Sequence, residues 1–334
     1  MNVLVIGDGA WGTTLAVLLS GKDVEVSLWS AFPEYAAELR RTRENVKFLP
    51  GVCVPETVTI LSRDSGKLKP FDLAVAAVPT QYIRSTLEGA KDRFGRLAAV
   101  VSVAKGIEND TLLRPSQILE TLLAPARLAV LSGPSHAEEV SRGLPTTVVT
   151  ASRDADFARH VQQVFSTDRF RVYTSEDMLG VELAGALKNV IAIAAGICDG
   201  LGFGDNSKAA LLTRGMVEMG RLGEAMGASR STFAGLAGVG DLITTCFSPF
   251  GRNLSVGRAL GKGEKLDRIL GRMKPVVAEG VSTTRSVRAL AHKHRVEMPI
   301  TEEVHQILFE GKSPKEGVSS LMLRELRPEQ DPAS

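Results

Sequence analysis

Short runs of consecutive apolar residues alternate with stretches of helical periodicity in the first half of the chain. The runs are rich in β-branched residues, which predicts buried strands at 2–6, 24–29, 72–78, 98–104, 128–133, 146–151 and 170–174. A helix is predicted from Trp11 to Ser20. Near-continuous apolar strands separated by helices indicate a parallel sheet covered on both faces, so the first half is predicted to be a doubly wound α/β domain.

The second half changes character after about residue 176, where strand signals fade and helical periodicity dominates. Pro299 suits a first helical turn, and Ser313 followed by Glu316 forms a capping-box pattern. Helices are predicted over 176–198, 207–227, 231–237, 252–261, 279–294, 299–310 and 313–325. We therefore predict two domains, an α/β domain over 1–175 and an all-α domain over 176–330.

Composition narrows the class of protein. The 334 residues are 44% hydrophobic and 23% charged, which allows sizeable cores, and the net charge of +2 argues against a broad nucleic-acid or membrane surface. The three cysteines, at positions 53, 198 and 246, are far apart and form no CxxC pattern. A reduced cytoplasmic compartment fits this pattern, and neither a disulfide framework nor a metal site is expected.

The longest apolar run, around residues 181–197, contains three polar residues. Glu182, Lys188 and Asn189 interrupt it, which favours a core helix over a membrane span. A buried and unpaired lysine is costly, so Lys188 is expected to extend its head to the surface, to be paired, or to take part in chemistry.

A glycine motif follows the first predicted strand and opens the first predicted helix. In Gly7-x-Gly9-x-x-Gly12, the first glycine makes a tight turn, the second admits a pyrophosphate to the backbone, and the third allows close helix packing. The helix N-terminus would then face the pyrophosphate. The strand–turn–helix context favours a Rossmann-like dinucleotide site over a plain βα turn.

The end of the second strand lacks the acidic residue that usually holds the adenosine ribose. The sequence there is Trp29-Ser30-Ala31-Phe32, with Glu34 a little late and Arg40, Arg41 and Arg43 a helix further on. Ser30 could bond to either form of the cofactor. The choice between NAD(H) and NADP(H) therefore stays open.

Several motifs occur together and in order along nearly the whole chain. They are GDGAWGTTLA (7–16), NVKFLPG (45–51), VPTQ (78–81), VAKGIE (103–108), SGPSHAEEV (132–140), ALKNVIAIAAGICDGLGFGDN (186–206), GVGDLITTC (238–246), RNLSVG (252–257) and MPITEEVHQIL (298–308). With these motifs the chain resembles the bacterial NAD(P)-dependent sn-glycerol-3-phosphate dehydrogenases.

The resemblance implies a function and a setting. Members of this family reduce dihydroxyacetone phosphate to sn-glycerol 3-phosphate with NAD(P)H, which feeds glycerophospholipid synthesis. It implies a cytoplasmic homodimer, without nucleic-acid binding or membrane insertion, and a helical domain like that of 6-phosphogluconate dehydrogenase.

Lys188 is the candidate catalytic acid. Apolar residues three and four positions away surround it on a helix, and burial lowers a lysine pKa toward the range of general acids. The matching family residue gives the proton in reduction and accepts it in oxidation. The other interpretations from the residues alone are a head at the surface, or a structural ion pair with Glu182 or Asp199.

Two further charged residues follow from the motifs. Lys105 comes after a predicted strand, at the carboxyl edge where α/β sites open, and the resemblance implies that it binds substrate and cofactor. Asp241 could accept a bond from the substrate hydroxyl or orient Lys188, but it is also a common type of helix N-cap.

A phosphate clamp is predicted where a helix begins. Arg252 can make a two-pronged contact to a phosphate, Asn253 adds a donor, and a helix N-terminus contributes its dipole. An exposed loop arginine is the alternative for Arg252. The resemblance adds Gly251, Gly133 and Ser135 as substrate contacts.

The resemblance gives the full set of cofactor positions, of which Gly7, Gly9 and Gly12 also follow from the glycine motif. They are Gly7, Gly9, Ala10, Trp11, Gly12, Ala31, Phe48, Lys105, Ala137, Arg252, Val277 and Glu279. Ala10 stands where the family often has Ser, and Ala31 where it often has Arg or His near the adenosine 2′ position. The second departure bears on the preference for NADP.

Two other classes of function compete with this one. A hydroxy-acid dehydrogenase or ketopantoate reductase would share the two-domain design but bind a carboxylate. A non-catalytic dinucleotide sensor would not need the second-domain polar set. His136 is an alternative acid by residue type, but it is expected to be a bystander, because no aspartate is spaced nearby to orient it.

Overall fold

An eight-stranded sheet forms the first part of the chain in the computed structural model, which describes residues 1–66, 68–326 and 328–329. Its order is β3-β2-β1-β4-β5-β6-β7-β8. The strands are β1 Asn2–Ile6, β2 Glu25–Ser30, β3 Val58–Ser62, β4 Leu73–Ala76, β5 Ala99–Ser102, β6 Arg127–Ser132, β7 Thr146–Ala151 and β8 Phe170–Ser175. The predicted fold class is confirmed; residue 330, the predicted end of the helical domain, lies outside the described residues.

Helices flank the sheet and then make up the rest of the described chain. Those among the strands are α1 Ala10–Ser20, α2 Pro33–Thr42, α3 Ile83–Glu88, α4 Lys91–Phe94, α5 Pro115–Leu123, α6 Ala137–Val140 and α7 Ala155–Phe165. Those that follow are α8 Met178–Gly200, α9 Asp205–Ala225, α10 Arg230–Phe233, α11 Asp241–Phe247, α12 Arg252–Gly261, α13 Leu266–Met273, α14 Glu279–His294, α15 Pro299–Phe309 and α16 Pro314–Met322.

One strand pair departs from the predicted parallel arrangement. β7 runs antiparallel to β6, with Val130 opposite Ala151, whereas every other neighbouring pair is parallel. The connection between these two strands, residues 133–145, contains only the four-residue helix α6, whereas a crossover between parallel strands usually contains a full helix that packs on the sheet. The sheet is therefore mixed at this point.

One predicted helix is interrupted, one helix was not predicted, and one predicted capping box is confirmed. The helix predicted over 231–237 is interrupted: α10 ends at Phe233 and a π-helical turn, Leu236–Gly240, leads into α11. Helix α13 was not predicted, because Ile269 is its one buried residue and its apolar face is short. The capping box of α16 is confirmed, with Glu316 N donating to Ser313 Oγ at 3.2 Å and Ser313 N donating to Glu316 Oε2 at 3.0 Å.

Helix α8 is the centre of the helical part. Its length and hydropathy would suit a membrane span, but the apolar window is buried inside the protein, as predicted for a core helix. A Cβ on Gly196 would lie 2.2 Å from the Leu254 carbonyl oxygen, and one on Gly257 would lie 2.0 Å from that of Ile193. Helices α8 and α12 thus pack backbone against backbone, which fixes their relative position.

Candidate active site

The predicted charged residues meet where the sheet's carboxyl edge faces the helical part. Lys105 follows β5 and Gly133 follows β6, so both leave neighbouring parallel strands at one edge. Lys188 lies on α8 and Asp241 begins α11. Residues separated by more than a hundred positions are thereby brought into direct contact.

Lys188 is buried and paired. Its side chain is 7% exposed, and its Nζ donates to Asp241 Oδ1 at 2.5 Å. It also donates to Thr245 Oγ1, whose own hydroxyl donates to the Asp241 carbonyl at 2.7 Å. The alternatives from the sequence do not hold, because Glu182 pairs with Arg114, Asp199 pairs with Lys208, and the Lys188 ammonium is buried.

Asp241 bridges two ammonium groups. Its second oxygen, Oδ2, accepts from Lys105 Nζ at 2.7 Å, and Lys105 Nζ also donates to the Gly133 carbonyl at 3.0 Å. The N-cap alternative for Asp241 is wrong: the cap position of α11 is Gly240, and the carboxylate turns toward the lysines. We call Lys105, Lys188 and Asp241 the charged triad.

Burial and neighbouring charges set the protonation of the triad. Burial lowers the pKa of Lys188 to about 8, Lys105 adds to this lowering, and Asp241 opposes it. Burial alone would raise the pKa of Asp241, but the two ammonium groups hold it below its usual value. Asp241 therefore stays ionised, and Lys188 can lose and regain a proton near neutral pH.

A chain of buried amides connects the triad to the start of α12. Asn189 Nδ2 donates to the Lys105 carbonyl at 3.1 Å, and Asn253 Nδ2 donates to Asn189 Oδ1 at 2.9 Å. Asn253 Oδ1 in turn accepts from Gly280 N at 2.9 Å. This series of hydrogen bonds holds Asn253, in the helical part, at a fixed position relative to Lys105, at the edge of the sheet.

The start of α12 combines a fixed backbone with an exposed cation. Gly251 is its buried cap residue, and a Cβ there would lie 2.9 Å from the Thr245 carbonyl oxygen. Arg252 is exposed, as the loop alternative expected, although it begins the helix and donates from Nη1 to the Val277 carbonyl at 2.9 Å. An anion could reach this guanidinium at the N-terminus of the helix, where the first N–H groups have no partners within the helix.

The glycine turn leaves room for a ligand. Gly7 has φ +113°, and a Cβ there would lie 2.8 Å from the Ala77 carbonyl oxygen, while a Cβ on Gly12 would lie 2.0 Å from that of Gly7. A Cβ on Gly9 would meet nothing within 4 Å. Gly7 and Gly12 are therefore required by packing, and Gly9 borders open space, which fits a pyrophosphate at this turn.

The other predicted cofactor positions lie in two groups. Ala10, Trp11 and Ala137 pack around one small apolar cluster beside the turn, and Ser135 Oγ donates to the Gly133 carbonyl at 2.9 Å nearby. From the helical part, Glu279 Oε1 accepts from Thr80 N at 2.9 Å, just after β4. Phe48 stacks edge-on against Tyr35 at 5.9 Å, and Ala31 follows β2 and is half-buried.

The structure adds detail at three residues near the site to which the sequence assigned no role. Thr245 could have been found, since it lies four positions after Asp241 and so shares its helix face. Asn189 was noted only as a polar interruption. His136, expected to be a bystander, lies near both lysines: burial, followed by Lys188 and Lys105, lowers its pKa to about 4, and its buried Nε2 has no partner among the described residues.

Comparison with known proteins gives one family for both parts of the chain. The family model for the NAD-dependent glycerol-3-phosphate dehydrogenase N-terminus matches residues 2–158, and that for the C-terminus matches 177–319. A glycerol-3-phosphate dehydrogenase [NAD(P)+] of Prosthecochloris aestuarii is 50% identical, over 98% of this chain and 100% of its own. One of Citrifermentans bemidjiense is also 50% identical, over 98% of each.

Solved structures support the same family assignment. The crystal structure of glycerol-3-phosphate dehydrogenase from Coxiella burnetii superposes with a TM-score of 0.91 and 37% identity, over 97% of this chain and 99% of that one. A ketopantoate reductase from Ralstonia eutropha, of the competing class, shares only the fold, with a TM-score of 0.61 and 17% identity over 95% of this chain and 100% of that one. The chain belongs to the NAD-dependent glycerol-3-phosphate dehydrogenase family.

Proposed function

We propose that this protein catalyses the reversible reduction of dihydroxyacetone phosphate to sn-glycerol 3-phosphate with NAD(H) or NADP(H). The observation that carries the proposal is the buried Lys188 ammonium, held by Asp241 at the carboxyl edge of a dinucleotide-binding sheet. Relatives 50% identical over their whole length bear the name glycerol-3-phosphate dehydrogenase [NAD(P)+].

Lys188 is the proposed catalytic acid and base. A bound nicotinamide supplies the hydride that the carbonyl carbon receives. The Lys188 ammonium then gives its proton to the developing alkoxide and becomes a neutral amine, and in the oxidation of glycerol 3-phosphate the amine takes that proton back. A pKa of about 8 suits both directions, because neither form of the group is rare near neutral pH.

Lys105 and Asp241 assist without moving a proton. The Lys105 ammonium, 2.7 Å from Asp241 Oδ2, offers positive charge to the carbonyl oxygen as negative charge develops there. Asp241 keeps both ammonium groups in place and offsets part of their mutual repulsion. A substrate oxygen would share the ammonium protons that now bind the carboxylate and the Thr245 hydroxyl.

The phosphate of the substrate is assigned to the start of α12. Arg252, Asn253 and Gly251 would hold it through the guanidinium, the amide and the helix N-terminus. Gly133 and Ser135, on the sheet side, would contact the rest of the substrate. Holding a phosphate that does not react orients the ketone, and this uses binding energy to lower the barrier.

The cofactor is assigned to the glycine turn and the surfaces that face it. The pyrophosphate would lie over Gly9 at the N-terminus of α1, and the helical part would contribute from the far side. The full proposed set is Gly7, Gly9, Ala10, Trp11, Gly12, Ala31, Phe48, Lys105, Ala137, Arg252, Val277 and Glu279.

The proposed domains correspond to these separate roles in binding the cofactor and the substrate. Residues 1–175 would bind the dinucleotide, and 176–330 would supply the acid and the phosphate clamp. The product suits glycerophospholipid synthesis in the cytoplasm, and a homodimer is the proposed assembly.

The decisive experiment follows the loss of reduced nicotinamide absorbance with dihydroxyacetone phosphate, using NADH and NADPH separately. Consumption with this ketone and not with 2-keto acids supports the proposal. Consumption with ketopantoate or other keto acids alone would favour the competing dehydrogenases. Binding of reduced cofactor without oxidation, over a panel of ketones, would favour a sensor.

A further inference from the structure

A carboxylate stands near the place where dinucleotide-binding folds present an acidic residue, although the sequence there has none. β2 ends at Ser30, and Asp8 lies in the glycine turn after the adjacent parallel strand β1. The Ser30 hydroxyl lies close enough to the Asp8 carboxylate to lower its pKa, although it donates to the Phe32 carbonyl at 3.2 Å. The end of β2 therefore has a carboxylate beside it that comes from the neighbouring turn.

This carboxylate is incompletely satisfied. Asp8 is 6% exposed, and its Oδ2 has no hydrogen-bond partner among the described residues. Burial raises the pKa of Asp8, against the lowering effects of Ser30, its own backbone and Lys47. Buried polar atoms are nearly always paired, so an unpaired carboxylate oxygen at a ligand site indicates that the ligand supplies a donor.

The chemistry of the cofactor narrows the identity of that donor. The pyrophosphate has only acceptors, whereas the adenosine ribose has hydroxyl groups, and acidic residues at the end of β2 hold this ribose in such folds. In NADP(H) the 2′-hydroxyl is replaced by a phosphate, which carries a charge of about −1.5 to −2 at pH 7 and would repel a carboxylate.

We propose that Asp8 accepts a hydrogen bond from the 2′-hydroxyl of the adenosine ribose and so selects NAD(H) over NADP(H). The inference rests on the proposed function, since it concerns the cofactor of the same site. It also resolves the preference that Ser30 and Ala31 leave open.

The nearby cations differ in how available they are to attract a 2′-phosphate. Arg40 Nη1 donates to the Ile60 carbonyl at 3.2 Å, and Arg43 pairs with Glu56 at 2.8 Å, so both are engaged at the edge of the sheet. The Lys47 ammonium lies 5.3 Å from the centroid of the Phe48 ring and acts electrostatically on Asp8. Lys47 is the cation that would favour NADPH binding. Its replacement should therefore change the cofactor preference in the direction opposite to replacement of Asp8.

The test measures dissociation constants of NADH and NADPH for the intact protein, without substrate, by nicotinamide fluorescence. Wild type should bind NADH about 10- to 100-fold more tightly, the ratio expected for a hydrogen bond to a buried charged group. Asp8→Asn keeps the side chain's shape and removes its charge, and should shrink that ratio about tenfold or more, with NADPH binding more tightly. Lys47→Ala should change it in the opposite direction.

Equal binding of both cofactors by wild type, or an unchanged ratio in Asp8→Asn, would overturn the inference. If the amide disturbs the turn, as judged by thermal unfolding, Asp8→Ala gives the same comparison. The outcome is separable from the proposed function. Selective NADH binding without reduction of dihydroxyacetone phosphate would refute the substrate and leave Asp8 as the selector, whereas turnover with both cofactors at equal affinity would do the reverse.

Discussion

At the scale of single residues, the surroundings of Lys188 decide its chemistry. Burial lowers its pKa to about 8, while the contact with Asp241 keeps the charged form from being lost altogether. The apolar helix alone predicted the lowering. The carboxylate that limits it lies 53 positions away, and no periodicity or spacing could have identified that contact.

Replacement of Lys188 by alanine should lower turnover by about 10²- to 10⁴-fold, the usual contribution of a general acid. Cofactor affinity should stay nearly unchanged, because the residue lies on the substrate side. Steady-state kinetics and NADH titration together measure both. Lys208→Ala is the matched control, since Lys208 is equally buried and paired with Asp199 at 2.9 Å outside the triad. Wild-type turnover in Lys188→Ala would refute its role.

The pH dependence of the rates of reduction and oxidation should follow the protonation of Lys188. Reduction needs the ammonium, so kcat/KM for the ketone should fall as pH rises through about 8, and oxidation, which needs the amine, should rise there. Asp241→Asn removes the carboxylate that raises the Lys188 pKa, so the limb should move to lower pH. Rate profiles in both directions test this. If the pH at which the rates change stays the same in Asp241→Asn, a group other than Lys188 controls the pH dependence.

At the scale of elements, two helices show how glycine sets a distance. Gly196 and Gly200 on α8 face Gly257 and Gly261 on α12, and each added Cβ would approach a backbone carbonyl oxygen to 2.6 Å or less. The sequence predicted both helices but not their contact. It did not predict β3, a five-residue strand at the edge of the sheet. The antiparallel β7 was missed because strand direction depends on the connection and not on apolarity.

Gly257→Ala should destabilise the protein by about 3 kcal/mol or more, because overpacking here moves backbone and not a flexible side chain. Gly271→Ala in α13 is the control: its Cβ would meet nothing within 4 Å, and removing a helical glycine should stabilise by up to about 1 kcal/mol. Denaturant unfolding measures both. Equal effects would argue against close packing of α8 on α12.

At the scale of the whole molecule, hydrogen bonds join the sheet to the helices at several points. Asn189 connects the Lys105 carbonyl to Asn253, and Ser286 Oγ donates to the Ile107 carbonyl at 2.9 Å. The two-domain plan was readable from the change in periodicity. How the halves face each other was not, because that depends on buried polar contacts between distant segments.

Asn189→Ala should raise KM for the ketone and lower kcat, each about tenfold, because it loosens Lys105 and Asn253 together and leaves buried groups unpaired. Ser286→Ala also removes a buried bond between the two parts, but it contacts neither the triad nor the phosphate clamp. It should cost similar stability and leave both kinetic constants near wild type. Equal kinetic losses in the two variants would mean that Asn189 acts only on stability.

The close contact of α8 with α12 has a consequence for selectivity. One helix carries the amine and the other begins at the proposed phosphate clamp, and no adjustable side chain lies between their glycines. The distance between the Lys188 amine and the proposed phosphate site is therefore fixed by the packing of the two helices. We expect a ketone with one more carbon between carbonyl and phosphate to be rejected by its length, even though every functional group it carries is the right one.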